Sequence, residues 1–333
     1  MVSGLASGRS ANGEPASAVG AVMPATVAQD GTQCHSVVDI ATVKPSPFEY
    51  HRPTTTNDAV GLLSDLGDGA KVLAGGQSLV PMLSLRLAVF DHLIDITRIA
   101  QLRGIDRRNG SVWVGAGTTQ RAVGASQLIV ADVPLLAKAT PLIGHFQIRN
   151  RGTIGGSLAH ADAAAEYPAV ALALDASFEV LGPGGARTVE ASEFFTGFWD
   201  TAMSDDELLT GVLFPVWSGR SGFAVNEVAR RHGDFAMAGA VAAVELDTND
   251  RVRRCAIAMF GLGPTARRAY AVESELVGSD VDSIDLEDVG RCAVRELDAV
   301  VGDAHVPEEY RRRIGAVVVA RALGEAVREA GDG

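Results

Sequence analysis

The sequence contains few cysteines. Cys34, Cys255 and Cys292 are the only three in 333 residues, they lie far apart, and no Cys-x-x-Cys pair occurs. Disulfide frameworks, structural zinc sites and iron–sulfur clusters need several cysteines at characteristic spacings. We therefore do not expect this chain to hold any of the three by itself.

The sequence is also short of positive charge and of long apolar runs. Its 41 acidic residues outnumber 29 lysines and arginines, which gives a formal net charge of −12. An acidic surface repels phosphate backbones, so a nucleic acid is not an expected partner, although backbone amides can still hold an anionic cofactor. No apolar run approaches the length of a membrane span, and the first residues lack the pattern of a secretory signal. These absences favour a cytoplasmic protein.

The patterning of the sequence predicts an α+β protein with two folded domains. Residues 1–44 are rich in Ala, Ser, Gly and Val without periodicity, which predicts a disordered N-terminal extension. Residues 45–218 begin with a strand–helix–strand pattern and continue with helices, a hairpin and a closing strand. Residues 222–330 predict three antiparallel strands followed by helices, because the connections between the strands are short.

Two glycine pairs are the strongest functional signal. Gly75-Gly76 and Gly155-Gly156 each follow a short apolar or β-branched run, and a residue with a hydrogen-bonding side chain comes directly after each pair. Glycine leaves no Cβ in the way of a ligand, and successive N–H groups in such a turn form a concave anion site. The pairs therefore predict a clamp on the diphosphate of a dinucleotide. The candidate cofactor-binding residues of the two turns are Leu73, Ala74, Gly75, Gly76, Gln77, Ser78, Leu79, Thr153, Ile154, Gly155, Gly156 and Ser157.

Two further segments are candidates for the same site. Gly117 and Thr118 follow another predicted strand and form a plausible loop beside a ligand. Asp162 and Glu166 are four residues apart in a helix predicted over residues 161–174, so we expect them on one face, where they can accept hydrogen bonds from sugar or ribityl hydroxyls. His160 lies two and six residues from these carboxylates, which does not fit metal ligation from one helix. No motif for a nucleophile, a catalytic base or a metal ion stands out, so we assign no catalytic residue.

The sequence around the two turns resembles a known family. Residues 74–81, followed by residues 85–88 and 93–96, resemble the first flavin motif of the FAD-binding medium subunits of molybdenum hydroxylases, a group that includes carbon monoxide dehydrogenase and bacterial xanthine dehydrogenase. Residues 148–162 resemble the second motif, and residues 227–236 and 261–264 resemble parts of the family's C-terminal domain. The resemblance extends from about residue 45 to about residue 330. Ala163 stands where family members usually carry proline, and the N-terminal extension is unusual.

The resemblance implies a fold, a cofactor and partners. The fold is a bipartite FAD-binding domain of the vanillyl-alcohol-oxidase (PCMH) type, followed by a small C-terminal domain of antiparallel strands and helices. FAD binds with its diphosphate against residues 74–79 and 153–157, and Glu166 matches an acidic position that contacts the flavin cofactor. The chain is then an oxidoreductase subunit of a hetero-oligomer, in which a large subunit carries the molybdenum cofactor and a small subunit carries [2Fe-2S] clusters. Electrons pass from these clusters through FAD to an external acceptor.

Two alternatives stay open from the sequence. One is a self-sufficient flavin oxidase of the same broad fold, with its own substrate pocket. The other is a scaffold subunit that has lost FAD, which the two intact glycine turns disfavour. The fate of the flavin on acid precipitation separates the first alternative from the main hypothesis, and an absorbance spectrum separates the second.

Overall fold

A computed structural model describes residues 44–303 and 306–333 of the chain. Apart from Lys44, the predicted disordered extension over residues 1–44 lies outside these described residues. The strands are β1 (Glu49–His51), β2 (Ala70–Leu73), β3 (His92–Asp95), β4 (Ile105–Arg108), β5 (Ser111–Gly115), β6 (Ser177–Gly182), β7 (Gly185–Glu190), β8 (Phe195–Gly197), β9 (Asp200–Thr201), β10 (Leu208–Pro215), β11 (Arg220–Val228), β12 (Ala238–Leu246), β13 (Val252–Phe260) and β14 (Arg267–Arg268).

The helices lie between these strands and at the C-terminus. They are α1 (Thr56–Leu66), α2 (Leu79–Ser84), α3 (Gln120–Ala125), α4 (Gln127–Asp132), α5 (Pro134–Ala139), α6 (Phe146–Arg149), α7 (Ile154–His160), α8 (Glu166–Ala173), α9 (Ala191–Phe194), α10 (Tyr270–Leu276), α11 (Leu286–Arg295) and α12 (Glu308–Asp332). Within the described residues, no helix is both long and apolar enough to cross a membrane.

The strands form one small parallel sheet and two larger antiparallel sheets, which together with the helices confirm the predicted α+β class. The parallel sheet has the order β1-β3-β2. A five-stranded antiparallel sheet follows in the order β4-β5-β10-β6-β7, and a four-stranded antiparallel sheet has the order β11-β12-β13-β14. β8 and β9 form a separate two-stranded ribbon. The expected strand–helix–strand start and the expected meander of β11, β12 and β13 are therefore confirmed.

Local sequence signals explain how α1 begins and ends. The Thr55 hydroxyl accepts a hydrogen bond from the N–H of Asp58 at 3.1 Å, which caps the helix as the Thr–x–x–Asp spacing predicts. Gly67 follows the last residue with a φ of 56°, a conformation that glycine adopts at low cost. Ala59 and Leu63 are buried one turn apart and direct the helix onto the parallel sheet. Because α1 packs on this sheet, it holds β2 and the glycine turn after β2 in a fixed position.

β12 is buried on both faces and joins the N-terminal part of the chain to the C-terminal part. All nine of its residues are buried. Side chains alternate along a strand, so Ala242 and Val244 pack into the cluster around α12 while Val241 and Ala243 pack into the cluster that contains α8. α8 packs against β12 and its neighbour β13 on one of these faces, and α12 packs against β12 on the other.

The helix predicted over residues 161–174 begins too early, since α8 covers only Glu166–Ala173. α7 ends at His160, and Ala161 adopts the left-handed conformation with a φ of 51° and a ψ of 38°. A turn follows, in which Asp162 accepts a hydrogen bond from the N–H of Ala164 at 2.9 Å, and α8 begins only at Glu166. Asp162 and Glu166 therefore do not share a helix face. An alanine in the left-handed conformation leaves no sign in the sequence, which is why the helix is predicted to begin at residue 161.

Candidate functional site

The first glycine turn packs directly against the start of the second. A Cβ added to Gly75 would lie 2.6 Å from the Cα of Gly152 and would also clash with the carbonyl oxygen of Arg151. Only a glycine allows this approach, because real Cβ atoms do not come within 3.0 Å of backbone atoms. The added Cβ of Gly156 would lie 3.4 Å from the Cβ of Ala74. The structure thus brings together two turns that are about 80 residues apart in the sequence.

The N–H groups of the first turn are available to a ligand. In the described part of the chain, no acceptor lies within hydrogen-bond distance of the N–H groups of residues 75–78. The hydroxyl of Ser78 also makes no hydrogen bond there, and the Gln77 side chain donates to the carbonyl of Gly75 at 3.0 Å. Successive unpaired N–H groups in a turn are suited to an anion. Leu79 then opens the short helix α2.

The second turn uses its N–H groups differently. Ile154 donates to the carbonyl of Thr118 at 3.0 Å, and Gly155 donates to the carbonyl of Ala116 at 2.9 Å. The N–H of Gly156 donates to the Thr153 hydroxyl at 3.0 Å, which caps α7. These three donors are therefore already engaged inside the protein. The half-buried hydroxyl of Ser157 makes no hydrogen bond within the described residues and is the free polar group of this turn.

The loop that contains Gly117 and Thr118 packs against the second turn and accepts hydrogen bonds from it. Gly117 donates its N–H to the carbonyl of Leu102 at 2.7 Å, and the Thr118 hydroxyl, which is buried, pairs with the backbone of Gly104 at 3.1 Å. A Cβ on Gly155 would lie 2.6 Å from the carbonyl oxygen of Ala116 in the same loop. The polar groups of Gly117 and Thr118 are thus used in folding, and the loop positions α7.

A cavity of about 330 Å³ lies over the first turn. Its volume is at the lower end of the range for ligand sites, so it suits one portion of a dinucleotide. Five of the predicted residues line it, together with six that the sequence analysis did not single out. The lining residues are Leu73, Ala74, Gly75, Gly76 and Gln77, and in addition Tyr50, Val80, Pro81, Asp95, Thr97 and Arg151.

Arg151 is the positively charged residue in the lining of this cavity. Its side chain is exposed, and it forms no ion pair or hydrogen bond with any side chain of the described residues. The guanidinium therefore keeps its donors free for an anion held by the neighbouring N–H groups. The position of Arg151, next to the second glycine turn, was visible in the sequence, but its contact with the first turn was not.

Asp95 places a negative charge at another wall of the cavity. Burial alone would raise the pKa of Asp95, but hydrogen bonds from Thr97 and Tyr50 outweigh burial and hold the pKa below its usual range. The Nε of Arg52 lies 3.5 Å from the same carboxylate. Asp95 is thus an ionised acceptor, which suits hydroxyl groups of a ligand rather than its phosphates.

A second cluster lies at the other end of α7. The Trp199 ring stacks on His160 with the ring centroids 6.0 Å apart, and its indole N–H donates to Asp162 at 3.2 Å. Trp199 is 61% exposed and has a φ of 52°, which is rare for a large side chain. Burial lowers the pKa of His160, so this imidazole is neutral. Gly156 and His160 are four residues apart in α7, so about 6 Å along the helix axis separates this cluster from the second glycine pair.

Glu166 begins α8 beside a carboxyl group from the C-terminal half of the chain. Burial, together with the charges of Glu227 on β11 and of Asp162, raises the pKa of Glu166 to about 8. Burial also raises the pKa of Glu227 to about 7, and its Oε2 atom is buried without a hydrogen-bond partner. Both carboxyl groups are therefore partly protonated near neutral pH.

The groups at the two ends of α7 suit the binding of a single ligand. It combines unpaired N–H groups and a guanidinium at one end of α7 with hydroxyl acceptors and an exposed aromatic ring at the other. Such a set fits an elongated ligand with a central anion and hydroxyl groups along its length.

Comparisons with known proteins agree with a binding site for a nucleotide cofactor and extend over most of the described chain. A family model described as the FAD binding domain in molybdopterin dehydrogenase matches residues 46–217, and one described as the CO dehydrogenase flavoprotein C-terminal domain matches residues 223–326. The chain is 39% identical to the 6-hydroxypseudooxynicotine dehydrogenase complex subunit alpha of Paenarthrobacter nicotinovorans, over 86% of this chain and 97% of that protein.

Two carbon monoxide dehydrogenase comparisons concern Hydrogenophaga pseudoflava. The medium chain of that enzyme is 38% identical over 85% of this chain and 98% of its own length. A solved structure of that organism's carbon monoxide dehydrogenase, lacking the Mo-pyranopterin moiety of the molybdenum cofactor, superposes with a TM-score of 0.83, covering 86% of this chain and 99% of the matched chain. At this identity and coverage the likeness concerns the family as well as the fold.

Proposed function

The chain belongs to the family of FAD-binding medium subunits of carbon monoxide and xanthine dehydrogenase-type molybdenum hydroxylases, and on that basis we propose that it carries electrons through its FAD within such a complex. It has the two domains of these oxidoreductase subunits, an FAD-binding domain and the C-terminal domain. When bound, FAD supplies the redox chemistry, since it can exchange one electron or two. This chain's own residues bind and orient the cofactor.

The first glycine turn and Arg151 are the proposed diphosphate site. The observation that supports this most strongly is the set of unpaired N–H groups over residues 75–78, under a cavity that Arg151 also lines. A diphosphate carries acceptors that match these donors in number and charge. The hydroxyls of Ser78 and Ser157 are further donors. The second turn contributes mainly through its close packing, because three of its N–H groups already have acceptors.

The remaining predicted residues have proposed roles along α7. Asp162 and Glu166 are acceptors for hydroxyl groups of the cofactor, and Trp199 covers the cofactor from the solvent side. Gly117 and Thr118, first predicted as contacts, instead hold the second turn in place through the hydrogen bonds described above. We keep the proposed domain limits at residues 45–218 and 222–330.

The proposed partners follow from the family, whose members are named as subunits of multi-subunit dehydrogenases. The three dispersed cysteines of this chain agree with iron–sulfur clusters held by another chain. We propose a hetero-oligomer with a molybdenum-cofactor large subunit, where the substrate is hydroxylated, and an iron–sulfur small subunit that delivers electrons to this chain. An external acceptor then takes the electrons, and the complex works in the cytoplasm.

Purification of the chain with and without its partners tests this proposal. The isolated protein should be yellow with about one FAD per chain, and acid precipitation should release the flavin into the supernatant. In the assembled complex, addition of a hydroxylation substrate should bleach the flavin absorbance. A colourless protein would favour a scaffold subunit, and flavin that stays with the acid pellet would favour a self-sufficient oxidase with a covalent flavin.

A further inference from the structure

Three metal-ligating side chains converge on the first strand of the parallel sheet, on the side away from the FAD cavity. Glu49 and His51 lie on β1, and His92 begins β3. Tyr50, which lines the cavity, lies between the first two, and side chains alternate along a strand. The cluster is therefore separate from the proposed cofactor site.

The parallel register explains why these groups meet. Glu49 is paired with His92, so their side chains leave the sheet on the same face, and His51 lies diagonally opposite. One ligand atom from each of the three residues lies within 4.8 Å of the other two. This is the one such group of three in residues 44–303 and 306–333.

Two distances between ligand atoms of the cluster resemble those between ligands of one metal ion. The Nε2 of His51 lies 3.2 Å from the Nδ1 of His92, and that same Nδ1 lies 3.6 Å from a carboxylate oxygen of Glu49. Two ligands held about 2.0–2.1 Å from a tetrahedral Zn²⁺ are about 3.3 Å apart. Two of the three distances thus match the spacing of ligands on a tetrahedral ion, and the third is no longer than 4.8 Å.

No placement of one shared proton gives all three ligand atoms of this cluster a hydrogen-bond partner within it. The Nδ1 of His92 faces both the imidazole nitrogen of His51 and the carboxylate of Glu49. If His92 donates to Glu49, the lone pair of His51 has no donor within the cluster, and if His51 donates to His92, the exposed carboxylate of Glu49 has none there. One dication accepts a lone pair from all three at once.

We propose that Glu49, His51 and His92 form a site for Zn²⁺ or a similar d-block dication, with the fourth position open to water. Two histidines and one carboxylate are a common set of protein ligands for Zn²⁺. β1 has only three residues and lies at the edge of its sheet. The ion would fasten this edge strand to β3 and thereby hold Tyr50 in the wall of the FAD cavity. The site is structural in role and does not depend on the proposed electron transfer.

Zn²⁺ titration of the full-length, metal-stripped protein tests the site by calorimetry. We expect one saturable site per chain, and a melting temperature higher by at least about 3 °C at saturation. Glu49→Gln, which changes an exposed side chain and should leave the fold intact, should weaken Zn²⁺ binding at least tenfold. His51→Asn and His92→Asn should weaken it at least as much.

The chain provides a matched control for adventitious binding by histidine pairs. His145 and His232 also lie together, with ring centroids 5.9 Å apart, but no carboxylate completes a ligand group there. The double variant His145→Asn/His232→Asn should bind Zn²⁺ as the wild type does. The proposal is overturned if the wild type shows no saturable binding, if the three cluster variants bind as tightly as the wild type, or if only the control variant loses binding.

Discussion

Arg151 is a proposed site residue that the sequence motifs did not predict. The glycine pairs predicted an anion site made of backbone amides alone, and the first turn does present such amides. The structure adds Arg151, the residue just before the second turn, to the lining of the same cavity. Its contribution depends on the packing of Gly75 against Gly152, and this long-range contact has no signal in either local segment.

Replacing Arg151 with alanine should weaken FAD binding without loss of the fold. A hydrogen bond to a charged group contributes about 1.5–3 kcal/mol, so we expect the FAD dissociation constant to rise about tenfold to a hundredfold. Fluorescence titration of FAD into the flavin-free protein measures the change. Arg121→Ala, which removes another exposed arginine, serves as the control and should leave FAD affinity unchanged. Equal affinities of wild type and Arg151→Ala would remove Arg151 from the site.

The carboxyl groups of Glu166 and Glu227 should make stability depend on pH. Their folded-state pKa values, about 8 and about 7, are raised by burial, so their contribution to stability is present below about pH 4.5 and is lost as the pH rises through 7 and 8. Glu227→Gln should reduce this loss and be more stable than wild type at pH 8.5 by about 1 kcal/mol after solvent screening.

Denaturant unfolding of the flavin-free protein at pH 5.5 and pH 8.5 measures this difference. The exposed Glu275→Gln variant is the control and should follow the wild type at both pH values. A Glu227→Gln variant that loses as much stability between the two pH values as the wild type does would show that this carboxyl group does not titrate in the range.

At the level of elements, sequence patterns predicted those that depend on local signals. The Thr55 cap, the spacing of apolar residues in α1 and the three strands of the C-terminal meander were all predicted correctly. β4 was not predicted, because its Asp-Arg-Arg residues are exposed at a sheet edge and show no apolar alternation. The turn over residues 161–165 was missed because Ala161 adopts a left-handed conformation that its residue type does not signal.

The left-handed conformation of Ala161 predicts an unusual response to glycine. An L-residue pays about 1–2 kcal/mol for this conformation, so Ala161→Gly should change the free energy of unfolding by less than about 0.5 kcal/mol despite the lost methyl group. The same substitution at Ala169, inside α8, should cost about 1 kcal/mol. Chemical denaturation compares the two variants, and equal losses would argue against the left-handed turn.

At the scale of the whole molecule, the two halves of the chain meet where the proposed cofactor site ends. The N–H of Gly261 donates to the carbonyl of Ala163 at 2.7 Å, and Glu227 faces Glu166 across the same junction. Both clusters of the proposed site are thus fixed by parts of the chain that are distant in sequence. The fold family could be predicted from the two glycine motifs, whereas the division of roles between the two turns could not, because it depends on hydrogen bonds to the loop at Ala116 and Thr118.

A crystal structure of the FAD-bound protein tests the central claim most directly. The account predicts diphosphate oxygens at about 2.9 Å from N–H groups of residues 75–78, with the Arg151 guanidinium beside them. A diphosphate that contacts neither this turn nor Arg151 would contradict the proposed site.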